Sequence, residues 1–303
     1  MSCTVKCVSW NEQSIRNKCA EVLEHVIDCD ASIVFLSETW MEADKNDITA
    51  LIKTYGYTLV HDRRKNREKE TGGGVGVMVK STMVHTHLKC KRFSSFEQTM
   101  VSIKLTSNTK LILITIYRLL FVSAGVFIDE FTEFLEILSV MSEDFILSGD
   151  INFHLEKDDS HVKSLHDLWN SFNLVQHVLQ PTHNLGHSLD CVLTRRDTLE
   201  ITNLVSDNVQ LSDHFMIHFD IKVEVLKYEE KTITYRNLKA IDYDKFSTEL
   251  MEKIQNLQTS AFGDRIIDYN NILREMLQDY APLQSRQSRL SRTHRGLILN
   301  IKS

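Results

Sequence analysis

Short apolar runs and helix-spaced apolar positions alternate along the first 224 residues of this 303-residue chain. Runs rich in Val, Ile, Leu and Phe predict strands at Val5–Ser9, Ile33–Ser37, Tyr57–Val60, Gly74–Val79, Met100–Leu105, Leu111–Tyr117, Phe145–Ser148, Leu189–Thr194 and Phe215–Val223. Between them, Cys19, Leu23, Val26 and Ile27 share one helical face, as do Phe131, Leu135, Leu138 and Met141. Such alternation predicts an α/β domain over residues 1–224, with helices layered on sheets. From Lys227 onward the strand-like runs stop. Phe246, Leu250, Ile254 and Leu257, then Ile266, Tyr269, Leu273, Met276 and Tyr280, predict two amphipathic helices in an extension over residues 225–303. After Pro282 the tail carries Arg286, Arg289, Arg292, Arg295 and Lys302 with no acid, which suits a phosphate-seeking arm or a solvated end equally.

Composition narrows the class. Hydrophobic residues make up 42% of the chain, enough for a sizeable core, and no stretch approaches the ~20 apolar residues of a membrane span. Met1–Trp10 lacks a charged-then-apolar signal pattern, so a nuclear or cytoplasmic protein is expected, neither secreted nor membrane-bound. The six cysteines form no C-x-x-C pair and read as thiols, with no zinc expected of them. A net charge of −6 requires that any grip on phosphates be local or metal-borne. The glycine run at 72–76 lacks G-x-G-x-x-G and a following G-K-[ST]; it reads as a hairpin turn into a strand, and no nucleotide cofactor is expected. Just before it, "HDRRKNREK" supplies Arg63, Arg64, Lys65, Arg67 and Lys69, a candidate DNA-backbone contact or a solvated hairpin tip.

Several strands end in polar residues of one chemical kind: Asn11, Glu38, Tyr117, then Asp150 with Asn152, Asp190, and Asp213-His214. Hydrolysis of a phosphodiester needs a divalent metal on a carboxylate, a group to direct water, and donors for the charge that develops on the phosphate. Glu38 suits Mg²⁺ as a hard oxygen ligand. Asp150 is a candidate proton acceptor, the Asn152 amide can orient water, and His214 backed by Asp190 can stabilise a phosphate oxygen. Taken singly, each has an ordinary reading: Glu38 as a helix-start acid, Gly149-Asp150 as a turn, Asp213 as a turn carboxylate, and His214 as a surface imidazole. His183 and His187, with no neighbouring ligands evident in sequence, read as structural.

The stretches "WNEQSIRNK" (10–18), "IVFLSETWM" (33–41), "TGGGVGVMVK" (71–80), "ITIYR" (114–118), "LSGDIN" (147–152), "PTH…HSLDCVL" (181–193) and "LSDHF" (211–215) resemble the endonuclease/exonuclease/phosphatase superfamily. The resemblance is specifically to the apurinic-endonuclease-like domain of non-LTR (LINE-type) retrotransposons. "YRNLKAIDYDKF" (235–246) and "YAPLQSR" (280–286) resemble the connector that precedes reverse transcriptase in such elements.

The resemblance implies a DNase I-like fold, two sheets packed face to face and flanked by helices, with the site at one rim. It implies Glu38 as the principal Mg²⁺ ligand, with Mn²⁺ as the alternative ion and Asn11 nearby. It implies Asp150 as the activator of water, Asn152 as its orienter, Tyr117 on the scissile phosphate, and Asp190 paired with His214. Asp213 would sit beside metal and leaving group, and Thr182 would contact the phosphate side. Arg63 and Arg64 are the expected DNA contacts. Two departures stand out: Gln13 occupies a position where repair enzymes carry Asp, and Leu119-Leu120 follow Tyr117-Arg118 where retroelement enzymes carry prolines.

The resulting expectation is a Mg²⁺-dependent endonuclease that nicks one DNA strand. Two alternatives stay open at this level: a phosphomonoesterase, such as one acting on phosphoinositides, and a non-catalytic retroelement fragment that binds nucleic acid or a partner through its tail.

Overall fold

A computed structural model describes residues 2–41, 46–64, 72–105, 109–224, 230–256 and 262–289. The chain runs β1 (Ser2–Asn11), α1 (Cys19–Asp28), β2 (Ile33–Ser37), α2 (Asn46–Thr54), β3 (Tyr57–Asp62), β4 (Val75–Lys80), β5 (His85–Leu88), β6 (Phe96–Lys104) and β7 (Lys110–Arg118). It continues through α3 (Ala124–Ser139), β8 (Asp144–Asp150), α4 (Ser160–Ser171), β9 (Leu174–Gln176), β10 (Asp190–Arg195), β11 (Glu200–Asp207), β12 (Met216–Glu224), β13 (Glu230–Arg236), α5 (Tyr243–Gln255), α6 (Phe262–Tyr280) and β14 (Leu283–Arg289). It divides into two compact units, Met1–Leu226 and Lys227–Ser303.

The first unit holds two six-stranded sheets, ordered β11-β12-β1-β2-β4-β3 and β5-β6-β7-β8-β10-β9. Each has one parallel pair at its centre, β1 with β2 and β7 with β8, and antiparallel strands elsewhere. Parallel neighbours need a crossover, and helices α1 and α3 supply it. Both faces of the central strands are covered, which explains their unbroken apolar runs. Along β7, Leu111 and Leu113 point between the sheets with Phe35, Val77, Ile146, Val192 and Phe219. Ile112, Ile114 and Ile116 face the opposite way, onto Phe127, Phe131 and Leu135 of α3.

Helix α3 begins where the Ser123 side chain accepts from the Val126 amide, and it buries Phe127, Phe131, Phe134, Leu135 and Leu138. Helix α1 buries Cys19, Val22, Leu23 and Val26; Ile27, expected on that face, is 42% exposed. The turn of a 3.6-residue helix favours Val22, one turn before Val26, over its neighbour Ile27. Five described cysteines, Cys7, Cys19, Cys29, Cys90 and Cys191, are free thiols.

In the second unit both helices form, with the Phe246 and Tyr280 rings 5.3 Å apart and edge-on and the Tyr280 hydroxyl donating to Glu249 at 2.6 Å; Ile266 and Tyr269, expected on an apolar face, are exposed, and Leu257 lies outside the described residues. The expectation that strands stop at Lys227 fails, because β13 and β14 pair antiparallel from Glu230 opposite Arg289 to Arg236 opposite Leu283. Arg236 anchors this ribbon by donating to the Leu277 and Ala281 carbonyls at 2.7 and 2.6 Å. Arg286 and Arg289 therefore belong to a strand, while Arg292, Arg295 and Lys302, like Lys65, Arg67 and Lys69, lie outside the described residues.

Candidate active site

The C-terminal ends of both parallel pairs open on one rim. Asn11 closes β1, Glu38 follows β2, Tyr117 lies at the end of β7, and Asp150 closes β8. Register aligns the second sheet's contributors in a row, with Tyr117 opposite Asp150 and Asp150 opposite Asp190 at the start of β10. Short polar contacts join the sheets near this rim: Ser148 donates to Ser9 at 2.7 Å, and Thr115 donates to the Gly76 carbonyl at 2.8 Å. Buried hydroxyls need partners, and these two find theirs across the sandwich, whereas the Ser37 hydroxyl at the end of β2 is buried without one among the described residues.

Asn11 links the two halves chemically. Its amide nitrogen donates to Glu38 Oε1 and to Asp150 Oδ2, both at 2.9 Å, while its oxygen accepts from the Gln13 amide at 3.2 Å. Asp150 is fully buried, and its other oxygen accepts from the Asn152 amide at 2.8 Å. His214 Nε2 lies 3.7 Å from Asp150 Oδ2, and its Nδ1 lies 2.9 Å from Asp190 Oδ2. Glu38, Asn11, Asp150, His214 and Asp190 thus form one continuous chain of polar contacts. Tyr117 joins at the Glu38 end through its hydroxyl, with the Arg64 guanidinium 5.8 Å from its ring centre.

The charges are set by burial and by neighbours. Burial pushes the Asp150 carboxyl above the usual carboxylate range, with the Asp190 charge adding to it and His214 and two donated hydrogen bonds opposing it. Burial alone would lower His214, but the charges of Asp190 and Asp150 outweigh it and raise the imidazole, favouring the doubly protonated ring. Burial, then the charges of Glu38 and Asp150, keep the Tyr117 hydroxyl protonated.

Local backbone explains how these groups are aimed. Gly149 adopts φ +141°, and a Cβ there would sit 2.0 Å from the Ile116 carbonyl oxygen. Its role is close approach to β7 inside the sheet, in contrast to the turn that Gly-Asp suggested. Asp150 and Asn152 do not share a face by strand alternation either, because Asn152 adopts φ +51° and folds its amide back onto the Asp150 carboxylate. Glu38 also has positive φ, +54°, and starts no helix. The loop after it is tied to the glycine run, with Thr39 and Trp40 amides donating to the Gly74 and Gly73 carbonyls at 3.1 and 2.8 Å. Trp40 in turn donates its indole N–H to Glu38 Oε2 at 3.1 Å.

Three expected site residues are engaged by neighbouring protein groups. Thr182 is fully buried, and its hydroxyl accepts from the Leu189 and Asp190 amides at 3.0 and 3.3 Å, so it holds the Asp190 backbone and offers a phosphate no surface. The Asn152 side-chain amide donates to the Arg118 carbonyl at 2.9 Å, which makes this nitrogen a brace between β7 and the Asp150 loop. Asn11 turns its nitrogen, a donor, toward Glu38 and Asp150 and bridges the two carboxylates. Asp213 sits beside His183 at 3.4 Å and His214 at 4.0 Å, with its Oδ1 buried and without a hydrogen-bond partner among the described residues. Arg63 is exposed, and with Arg64, Lys89, Arg92 and Phe93 it lines a cavity of about 660 Å³.

Other participants lie within the quoted motifs, but their contacts could not be read from them. Arg118 donates to the Asn152 and Val122 carbonyls at 2.9 and 3.0 Å and lies 4.4 Å from the Phe153 ring centre. Ser212 donates to the Asn11 carbonyl at 2.7 Å and accepts from the His214 amide at 2.9 Å, fastening the imidazole loop to β1. Contacts to backbone carbonyls leave no residue pattern to find. His183, read as structural, packs edge-on against His214 at 5.1 Å, and His187, read as lacking ligands nearby, faces Glu156 at 2.9 Å. Glu12, within the first motif, is fully buried, and no other described group donates to either of its oxygens.

The Glu38 carboxylate, which accepts from Asn11 and Trp40, is an oxygen donor of the kind a hard divalent cation takes. Comparison with solved structures returns the same architecture. The endonuclease domain of TRAS1, a telomere-specific non-LTR retrotransposon, superposes with TM-score 0.57 at 16% identity, over 72% of this chain and 98% of that one. The AP endonuclease LMAP from Leishmania major gives 0.58 at 15% identity, over 73% and 88%. The catalytic domain of human Nocturnin gives 0.55 at 13% identity, over 72% and 93%. No curated protein sequence matches. The sequence profile of the Endonuclease/Exonuclease/phosphatase family matches residues 8–214, a stretch that includes every group of the polar chain, and the protein belongs to that family.

Proposed function

We propose that this chain is a divalent-metal-dependent endonuclease that hydrolyses one strand of DNA and leaves a 3′-hydroxyl. Members of its family are hydrolases acting on phosphodiester bonds and typically use divalent metal ions. The observation that carries the reading is the unbroken path Glu38–Asn11–Asp150–His214–Asp190, in which a carboxylate end and an acid-backed imidazole end meet across one buried Asp.

Glu38 would hold Mg²⁺ or Mn²⁺, with Asp213 on the His214 side of the site; a bound ion would neutralise charge on the phosphate oxygens. The protein's own groups do the rest. Asp150, raised toward neutrality by burial, accepts a proton from the attacking water. His214, held as imidazolium by Asp190, donates to a phosphate oxygen as charge develops there. The protonated Tyr117 hydroxyl adds a further donor beside Glu38. The cavity bearing Arg63, Lys89 and Arg92, with Arg64 paired to Glu97 on its wall, supplies cations for a neighbouring backbone phosphate and Phe93 for a base, a combination that favours nucleic acid over a small phosphomonoester.

Purified protein is expected to nick supercoiled plasmid with Mg²⁺, and Asp150→Ala is expected to lower the rate by about 10²–10⁴-fold. Glu38→Ala should raise the Mg²⁺ concentration needed for half-maximal rate. Wild-type nicking by Asp150→Ala rejects the assigned chemistry. Release of inorganic phosphate from monoesters without any nicking supports the phosphomonoesterase, and binding of DNA without turnover supports the non-catalytic fragment.

A further inference from the structure

A second group of metal-ligand side chains lies outside the polar path. His154 Nδ1 is 3.2 Å and His187 Nδ1 is 2.9 Å from the same oxygen, Glu156 Oε1, and the three ligand atoms lie within 4.8 Å of one another. The two imidazole rings are perpendicular, with centres 4.2 Å apart. All three side chains are about one-third exposed, so an ion can reach them.

The scaffold beneath is already fixed. Ser188 donates its amide to Glu156 Oε2 at 3.0 Å, and the Leu155 amide donates to the Ser188 carbonyl at 3.0 Å. Those contacts join two loops that matter: His154 follows Asn152 by two residues, and His187 precedes Asp190 by three. A tetrahedral ion with bonds of about 2.0–2.1 Å separates adjacent ligand atoms by about 3.3 Å, so the two His–Glu156 spacings need to open by only a few tenths of an ångström, and the two imidazole nitrogens already lie within 4.8 Å of each other. Two imidazoles and one carboxylate, with a fourth position open to solvent, suit a borderline transition metal and offer little to Mg²⁺, which prefers oxygen.

We propose that His154, Glu156 and His187 form a second metal site, selective for Zn²⁺-like ions, that clips the Asp150–Asn152 loop to the loop entering β10. The site is separate from the Glu38 end and does not depend on the nuclease reading. Asp150 and Asp190 are already paired across β8 and β10; occupancy would in addition tie the loop after Asp150 to the loop before Asp190, so this ion acts on the active site through its scaffold.

The test uses full-length protein stripped with chelator, kept in excess Mg²⁺, and titrated with Co²⁺ and then Zn²⁺. Wild type is expected to develop the visible absorption of four-coordinate Co²⁺, to lose it on adding one equivalent of Zn²⁺, and to melt at a higher temperature with Zn²⁺ than without. The double variant His154→Gln/His187→Gln is expected to lose both the absorption and the Zn²⁺-dependent shift while still melting cooperatively. Should that variant fail to fold, His154→Gln alone provides the same readout. The variant His183→Gln/Asp213→Asn, at the other histidine cluster, is expected to keep both. Absorption that survives loss of His154 and His187, that disappears with His183 and Asp213, or that never develops in wild type overturns the proposal.

Discussion

Asp150 and Asp190 sit opposite each other on antiparallel strands and address one imidazole, at 3.7 Å from Nε2 and 2.9 Å from Nδ1 of His214. Two carboxylates this close would repel if both were bare, and the imidazolium between them offsets that repulsion. The near contact with Asp190 also fixes which face of the ring turns toward Asp150 and the rim.

Asp190→Asn keeps a side chain of the same shape but removes the charge that raises His214. Nicking is expected to fall by about 10²–10⁴-fold with a cooperative melt retained. Plasmid assays beside thermal melts check this; near-wild-type turnover would show that the imidazolium is not needed.

Asn11→Ala removes the only described donor shared by Glu38 and Asp150. With that hydrogen bond lost, the Asp150 carboxyl should rise further, because the bond now lowers it. The acid limb of the pH–rate profile is expected to move to higher pH than in wild type, and an unshifted limb would refute the bridging role.

Gly149→Ala places a Cβ on the Ile116 carbonyl and forces a strained φ, so a loss of about 2–5 kcal/mol in urea unfolding is expected. Gly125, near the start of α3, has nothing within 4 Å of an added Cβ, and Gly125→Ala should stabilise by up to about 1 kcal/mol. Equal effects of the two would disprove the close-approach argument.

Glu12 is fully buried; burial pushes its carboxyl well above the usual range, and its own amide with the Lys18 charge gives only partial relief. A carboxyl whose folded value is raised contributes most at low pH and destabilises as pH rises through that value. Glu12→Met is therefore expected to stabilise by about 1–3 kcal/mol near neutrality, with the advantage shrinking in acid. Melts from acid to neutral pH would expose the error as a constant or reversed gap.

The central strands were legible because two buried faces leave unbroken apolar runs, and the polar residues ending them marked the rim. Of the first unit's four edge strands only Tyr57–Asp62 was. His85–Leu88 and Glu200–Asp207 carry polar residues on a solvated side, and Leu174–Gln176 is too short to show a period. Helix α4 had a readable start, the Asp159 carboxylate accepting from His161 and Val162 amides, with Val162, Leu165 and Trp169 buried behind it. At the site, residue types pointed to the chemistry, but Arg118 and Ser212, though inside quoted motifs, act through contacts to backbone carbonyls that residue types do not reveal. Thr182 shows the opposite failure: a hydroxyl in the expected place was already engaged by two amides.

The hydroxyl pair Ser9–Ser148 has a consequence for how this molecule would tolerate change. Half of the reactive groups ride on one layer and half on the other, so sideways creep of a single residue between layers would separate Glu38 from Asp150 while leaving each layer intact. That interlock works as an alignment pin, and loosening it would yield a protein that is well folded yet out of tune.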